Sequence, residues 1–551
     1  MDSSSVRFVW RLGRYREIAG VLFKYGFGDL VQRLHLGAPV EFGKRLVRAK
    51  GVHVEELTTA ARLRLALEEL GPTFIKFGQV LSTRPDVVPP EIIDELTKLQ
   101  ENVAPFSSRQ ARELVALELG KPVEAIFAEF DDKPLAAASI AQVHRARLRD
   151  GTPVAVKLRR PSVTGQVERD LDILFHLAHL AEQHLPESDV YDPTGLVKHF
   201  ARTIRREMDF VREGRTLERF RNLFENDQTF HVPAVHWEWT TPAMLTMEYV
   251  EGLRVTDRKA LVDAGLDPRE IAGRGVRIFL AQALTHGAFH GDPHPGNLRI
   301  LPKNVVCMLD YGMVGRVSDE MKDLLADLMI GIVRHDVPAV VDLFMSIGQA
   351  RAPVDRQELA NDVADLIDTY YGLSLKQLPV ENLVRDFLGI LSQYRIRYPS
   401  SLMLLARALV TLEGVGRDLD PKFNLAEKLV PFVETLMRQR HNPRRIAGRL
   451  ASDALKSVEA TRRIPLRVND LLDQIEKEQL QVPFVHRGLE RLISELDRSS
   501  NRIAVGLVLA SSIIASAMII QDWRNLGLAG FLLSAFLGFW LVLGIFRSGR
   551  L

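Results

Sequence analysis

The sequence predicts an α+β fold of two lobes, a small one bearing a sheet and a larger one that is all helical, with a helical extension in front and a hairpin of transmembrane helices behind. Three observations carry this. Short apolar runs of strand length, 143–148, 154–158, 244–249, 298–301 and 305–309, all fall before Asp310. Beyond Ser318 the apolar residues recur at helical spacing, over 319–350 and 400–415. Near the C-terminus the runs 503–520 and 526–546 carry no charged residue, and each is long enough to cross a hydrocarbon core of about 30 Å.

Taken in order, the 551 residues suggest several domain-sized units. Residues 1–60 read as basic helix, with Arg7, Arg11, Arg14 and Lys24 among Phe8, Trp10, Leu22 and Phe23; this segment either lies on a membrane surface or packs on the next domain. Over 61–130 a helical extension shows Leu63, Leu67, Leu70, Phe74, Phe77 and Leu81 at helical spacing, broken or kinked at Pro72. A turn follows at 84–90. The sheet-bearing lobe is expected over 131–255, with a charged helical stretch at 161–225, and the helical lobe over 256–460. A helical linker is expected over 461–502, and two membrane helices over 503–546. The five residues between the two apolar runs force an antiparallel hairpin. Arg498, Arg502, Arg547 and Arg550 flank its outer ends against Arg524 in the loop, which puts the large N-terminal portion in the cytoplasm.

Composition removes several function classes. A balance of 72 Lys+Arg against 70 Asp+Glu, net +2, does not suit a dedicated nucleic-acid binder. The one cysteine, Cys307, excludes an intramolecular disulfide and a cysteine metal cluster, and its apolar neighbours make it a buried strand residue. The first twenty residues lack the apolar core of a secretory signal.

The chemistry is concentrated in three places. Gly151–Lys157 reads as a turn and then a strand ending in lysine, the residue type that neutralises nucleotide phosphates. His290-Gly291-Asp292-Pro293-His294-Pro295-Gly296-Asn297 sets Asn five residues after Asp, the spacing of a kinase catalytic loop, and Asp310-Tyr311-Gly312 stands where the metal-binding triplet of a kinase would. Magnesium wants hard oxygen ligands, which Asn297 and Asp310 supply, while Asp292 orients or deprotonates an attacking hydroxyl or water. His290 and His294 have a metal-site spacing, but Pro293 and Pro295 argue against the helix such a site needs. Two kinase parts are missing. No glycine-rich loop precedes Lys157, and in its place stand Leu135, Ala136, Ala137, Ala138, Ser139, Ile140, Ala141, Gln142 and Val143, a stiffer loop. After Gly312 the helical pattern resumes by Ser318, which leaves no long segment for docking a peptide. The fold class is therefore an atypical protein-kinase-like bilobal fold.

Lys76-Phe77-Gly78-Gln79, the alanine loop, Glu207-Met208-Asp209, the 290–297 loop and Asp310-Tyr311-Gly312, together with Glu413–Arg417, resemble the UbiB/AarF atypical-kinase family over about 60–420. The resemblance implies ATP and Mg²⁺ as cofactors, a role in ubiquinone or other isoprenoid-quinone synthesis, and a terminal hairpin that anchors the chain in the bacterial inner membrane. It implies that the helix of Lys76 and Gln79 folds over the site as a lid, with Lys76 near Glu207. Asp209 and Glu213 are four apart and expected on one helix face, with Glu213 paired to Lys157 and Glu207 pointing elsewhere. Glu248 and Val250 lie in the segment resembling the linker that meets adenine. The expected partners are ATP, a membrane lipid or prenylated quinone precursor, quinone-biosynthesis enzymes and a second copy of the chain, with no nucleic acid. Three functions stay open: an ATPase or small-molecule kinase supporting quinone synthesis at the membrane, a protein kinase acting on membrane or quinone-pathway proteins, and a non-catalytic nucleotide- or lipid-binding scaffold. Lys157, Asp292, Asn297 and Asp310 together weigh against the last.

Overall fold

The structure, a computed structural model, describes residues 3–33, 57–82, 84, 88–99, 104–184, 192–350, 353–370, 379–394, 396–440, 489–520 and 523–547. The chain divides into two compact units, 1–446 and 447–551. Residues 85–87 of the expected turn and 461–488 of the expected linker fall outside the described residues, as do the side chains of Arg7 and Arg11.

The first unit opens with α1 (Ser3–Lys24) and α2 (Gly28–Arg33), followed by α3 (Thr59–Leu70), α4 (Pro72–Leu81) and α5 (Pro90–Leu96). Where described, α1 packs on this extension: Ile18, Val21 and Tyr25 are buried, and Arg14 bonds the Leu70 carbonyl at 2.7 Å and the buried Asp170 at 3.0 Å. Pro72 does separate two helices. It takes the first turn of α4, where its missing N–H costs nothing, and Gly71 before it adopts φ +94°, which a side chain would resist.

Next come α6 (Ser108–Leu119), started by a Ser107–Gln110 capping box, and α7 (Val123–Ile126). The five-stranded sheet consists of β1 (Phe127–Phe130), β2 (Ala136–Ala137), β3 (Ala141–Leu148), β4 (Pro153–Arg159) and, after β5 (Phe230–His231), β6 (Met244–Glu248). Its order is β1-β3-β4-β6 with β2 on β3, and every pairing is antiparallel. The tight β3–β4 turn uses Gly151 at φ +89°. The register sets Lys157 between Val143 and Leu245. The strand β1 has no counterpart among the sequence-based strands, because only Phe127 and Phe130 of it are buried, a spacing that does not alternate.

Among the described residues the stretch 161–225 holds three helices: α8 (Val163–His184), α9 (Pro193–Glu207) and α10 (Phe210–Leu223). A second sheet is β5-β10-β9-β7, built from β7 (Leu253–Arg254), β9 (Leu298–Leu301) and β10 (Val305–Met308) around β5. The helices α11 (Arg258–Asp263) and α12 (Pro268–Leu280) follow β7, and β8 (Ala288–His290) pairs with β11 (Val314–Arg316). Cys307 lies buried in β10 as expected, with its thiol pushed up by burial. The helical lobe continues as α13 (Asp319–Arg334), α14 (Val337–Ile347), α15 (Arg356–Tyr370), α16 (Val380–Gln393), α17 (Ser400–Leu419) and α18 (Leu425–Arg440). It is not helical throughout. His335 at φ 55° splits 319–350, and β12 (Gln349–Ala350) pairs with β13 (Ile396–Arg397). One apolar core joins the extension to the sheet and to α8–α10, and a second fills the helical lobe.

The second unit holds α19 (Leu489–Ile519) and α20 (Arg524–Arg547), an antiparallel pair in which Ser534 Oγ donates to Ser512 Oγ at 2.8 Å. Among the described residues no helix is long and apolar enough to cross a membrane. The helix α19 stops at Ile519, so its apolar part beyond Arg502 is roughly 25 Å long at about 1.5 Å per residue, short of a core of about 30 Å. The side chains described for α20 end at Trp540, and the remainder of the expected span to 546 lies outside them. The expected transmembrane hairpin is corrected on this finding, and with it the two-pass inner-membrane anchor with a cytoplasmic kinase-like portion. The pair leaves Leu507, Val508, Ile514, Leu532, Phe536 and Trp540 exposed.

Close packing of the extension yields a prediction. A Cβ at Gly78 would lie 2.4 Å from Leu99 Cδ1 and 2.9 Å from Leu67 Cδ1. Gly78→Ala is expected to cost about 1–3 kcal/mol by overpacking. Gly414→Ala in α17 meets no atom within 4 Å and should be neutral or stabilising by about 0.5–1 kcal/mol. Thermal melts of the two variants check this, and equal midpoints would contradict the packing.

Candidate active site

A cleft of about 1080 Å³ lies between the five-stranded sheet and the helical lobe, with α4 at one side. Its centre is Lys157, on β4. The side chain is nearly buried, and Nζ donates to Glu213 Oε1 at 2.7 Å and Oε2 at 2.9 Å, with Asp310 Oδ2 at 3.5 Å. Burial alone would favour the neutral amine, but the charges of Asp310 and Glu213 overcome it and hold the ammonium. For Asp310, burial is likewise outweighed, by Lys157 and by the Gly312 N–H at 2.8 Å, so its carboxyl stays well below the usual carboxylate range. Its stabilising contribution is therefore present above the ordinary value of 3.8 and is lost only as the pH falls below that. Glu213 is pushed up by its burial, against the pull of Lys157.

The pairing of Glu213 depends on a break in the chain. The helix α9 ends at Glu207, and α10 begins afresh at Phe210, whose N–H is taken by the Pro242 carbonyl at 3.2 Å. Asp209 is the residue before α10, with extended φ/ψ of −101° and 94°. The expectation that Asp209 and Glu213 share a helix face is therefore corrected: Asp209 turns away to Arg212 at 3.0 Å and does not line the cleft, whereas Glu207 does.

Glu207 meets the extension. Lys76 on α4 forms an ion pair with it at the cleft wall, both side chains being largely buried, and Gln79 Nε2 donates to the Leu99 carbonyl at 3.3 Å. Phe77 packs edge-on to Phe200 of α9, with ring centroids 5.1 Å apart. The helix with Lys76 and Gln79 thus borders the same cleft as Lys157.

The 135–143 segment is a hairpin. Ala136 pairs with Val143, Ala137 pairs with Gln142, and the Ala138 N–H donates to the Ala141 carbonyl at 2.8 Å. No residue in this turn has positive φ, so alanine meets the geometry without strain. Leu135, Ala136, Ala137, Ala138, Ile140, Ala141 and Val143 line the cleft. Ser139 and Gln142 do not. Both are fully buried, and the Gln142 amide bridges the Phe106 backbone and His144 Nε2. Arg160, absent from the sequence reading, fastens the turn by donating to the carbonyls of Ala138 at 2.8 Å and Ala104 at 2.9 Å.

On the opposite wall His290, Asp292 and Asn297 come together. Asp292 N–H donates to His290 Nδ1 at 3.1 Å, and Asn297 Nδ2 donates to the Asp292 carbonyl at 3.2 Å. Burial keeps His290 neutral. Val250 and Glu248 line the other end, and Glu248 is held by His231 at 3.0 Å and by the Ala234 N–H at 3.1 Å. Among the described residues no cluster of three or more His, Cys, Asp or Glu could hold a metal. Asp310 and the free side-chain oxygen of Asn297 are hard donors facing one space, which fits a magnesium ion that completes its shell with phosphate oxygens and water. Arg407, from α17, also lines the cleft without a carboxylate partner among the described residues. It is the lone charge between Ser400 and Glu413, a signal visible in the sequence.

The Lys76–Glu207 pair generates a prediction. Glu207→Gln leaves a largely buried ammonium short of its counter-charge and should cost about 3 kcal/mol. Adding Lys76→Met should recover most of that loss. Denaturant unfolding of both variants and the double variant gives the coupling, and additive losses would contradict a direct pair.

The model of the ABC1 atypical kinase-like domain matches residues 98–344, the UbiB helical domain 363–424 and the ABC1/UbiB kinase-like C-terminal domain 487–547. A probable protein kinase UbiB from Pseudomonas fluorescens (strain SBW25) is 35% identical over 78% of this chain and 80% of its own length. Another from Xanthomonas campestris pv. campestris (strain B100) is 32% identical over 92% and 93%. An uncharacterized protein in the hydrogenase 1 5′ region of Clostridium pasteurianum is 31% identical over 98% and 99%. A solved Mycobacterium tuberculosis structure, a complex with erythromycin, has a TM-score of 0.47 and 23% identity, over 65% of this chain and 91% of that one. On the family models and on the length and identity of the UbiB matches, the chain belongs to the ABC1/UbiB family of atypical kinase-like proteins.

Proposed function

We propose that this chain binds ATP with Mg²⁺ and uses it as an ATPase or small-molecule kinase in isoprenoid-quinone, specifically ubiquinone, biosynthesis. The observation that supports this reading is the assembly of Lys157, Glu213 and Asp310 beside a helix fixed by the Lys76–Glu207 pair. Lys157 and Asp310 are the groups that hold phosphates and a divalent cation, and Glu213 holds Lys157 in place. The helix occupies space along the cleft that a docking polypeptide would need. Lys157 grips phosphate oxygens, the alanine hairpin covers them, and Val250 offers backbone to the base. Asp292 positions the acceptor, a hydroxyl of a small molecule or a water. Bound Mg²⁺ would neutralise charge on the phosphates and hold them in line with that acceptor. A prenylated quinone precursor is the acceptor class that follows from the quinone reading, with quinone-biosynthesis enzymes as the partners. A second reading, transfer to protein, draws on the printed name of the UbiB relatives.

Two tests follow. Asp310→Asn should remove the magnesium dependence of ATP binding and weaken it by a factor of about ten or more, equivalent to about 1.4 kcal/mol. Calorimetric titration with Mg-ATP decides it, and unchanged affinity would overturn the metal assignment. Lys76→Ala should keep the fold but alter ATP turnover or admit protein acceptors, seen as autophosphorylation, and fail to restore quinone content in cells lacking the chain. Normal turnover, no autophosphorylation and full quinone rescue would remove the lid from the mechanism.

A further inference from the structure

A second cavity, of about 430 Å³, lies apart from the active-site cleft and shares no lining residue with it. Its walls come from α10, from the turn before β8, from β11 and from the start of α13. Arg219 projects from α10 and Arg316 from β11, and neither has a carboxylate partner among the described residues. Lys322 of α13 is nearly buried and pairs at 3.3 Å with Asp319, the one carboxylate in the lining. His286 completes the set, with its proton affinity lowered by burial and by Lys322. Three cations thus face a single carboxylate across a small cavity. Arg219 and Arg316 are exposed and solvated, and an anion that enters the cavity beside Lys322 gains from the charge and the donor forks of both.

We propose that this cavity is a binding site for a phosphate group, either free or carried by a small molecule. The two guanidinium forks approach from α10 and β11, and the ammonium comes from α13, so donors surround the space from three elements. A tetrahedral dianion accepts from all three, whereas a flat carboxylate engages one fork at a time. The position has a consequence for the active site. Arg219 stands six residues past Glu213 on the same helix, and Phe220 beside it contacts the Tyr311 ring at 4.9 Å between centroids. Arg316 stands six residues past Asp310. An anion that ties Arg219 to Arg316 ties together the two segments that bring Glu213 and Asp310 to Lys157.

The test uses the full chain and calorimetric titration with inorganic phosphate and with phenyl phosphate. The wild-type chain should bind at least one of them saturably, and more weakly as ionic strength rises. The Arg219→Gln/Arg316→Gln pair should weaken binding by about tenfold or more, since each charge-assisted hydrogen bond is worth on the order of a factor of ten. Arg219→Lys/Arg316→Lys, which keeps the charge and loses the forks, should fall between and guards against misfolding of the glutamine variant. Arg407→Gln, in the other cleft, should leave this binding unchanged. Tighter binding of phenyl phosphate assigns a phosphate monoester, and tighter binding of inorganic phosphate assigns the free ion. No saturable binding of either probe, equal binding by the double glutamine variant, or loss only in Arg407→Gln would overturn the site.

Discussion

The interaction on which the structure turns is the burial of the Lys157 charge. An ammonium withdrawn from water at the centre of a protein is strongly disfavoured unless carboxylates replace its hydration. Glu213 supplies two oxygens within 2.9 Å and Asp310 supplies one at 3.5 Å, each from a different part of the chain. The rest of the fold answers this requirement. The antiparallel register aims Lys157 inward from a central strand. The chain breaks at Asp209 so that α10 can start at the angle that delivers Glu213. The short link from β10 to β11 brings Asp310 in from the other lobe. One ion-paired cluster therefore fixes the relation of the sheet to the helical lobe, and the geometry of the cleft is a by-product of satisfying that charge.

How much of this was legible in the sequence depended on whether a signal was local. The strand of Lys157, the 290–297 loop and Asp310-Tyr311-Gly312 carry their chemistry in contiguous residues, and the structure brings all of them to one cleft. Glu213 could be picked by elimination among the charges at 207–213, but the reason given was wrong. A face shared with Asp209 presumes one continuous helix, whereas the break is imposed by the Pro242 carbonyl, which lies over thirty residues away and leaves no trace in the local pattern. Gln142 failed as a lining residue for a related reason: along β3 alternate side chains face opposite ways, so Gln142 faces the buried side between Ala141 and Val143, while Ser139 is buried in the turn. The terminal hairpin shows the limit of counting apolar residues. The uncharged run 503–520 makes only about 27 Å of helix, and Ile520 falls outside the helix, so the span is short of a core of about 30 Å.

The alanine hairpin and the α4 helix act on the cleft in complementary ways. A glycine-rich loop is mobile because its backbone visits both signs of φ. Here the turn needs no positive φ, is closed by the Ala138–Ala141 hydrogen bond and is pinned by Arg160. A stiff cover on one side and a helix locked by an ion pair on the other leave little freedom to admit a large acceptor. Opening must come either from parting Lys76 and Glu207 or from motion of the whole extension, whose apolar core with α8 and α9 resists it.

Charge balance in the cleft then decides what a nucleotide would require. Lys76 is matched by Glu207, and Lys157 is matched by Glu213 with Asp310 beside it, so neither lysine brings surplus positive charge to a triphosphate. Asp292, Glu248 and Glu251 add further negative charge, and Arg254, Arg299 and Arg407 line the cleft without a carboxylate partner among the described residues. A triphosphate entering such a site meets about as much repulsion as attraction unless a divalent cation enters with it. On the proposed reading the magnesium ion is thus needed for binding itself, ahead of any part in transfer, because the protein has already spent its lysine charges on its own carboxylates. The same balance explains why a carboxylate at 310 matters more than its single contact suggests: it is at once a partner that keeps Lys157 charged and the group that recruits the cation which lets phosphates approach that lysine.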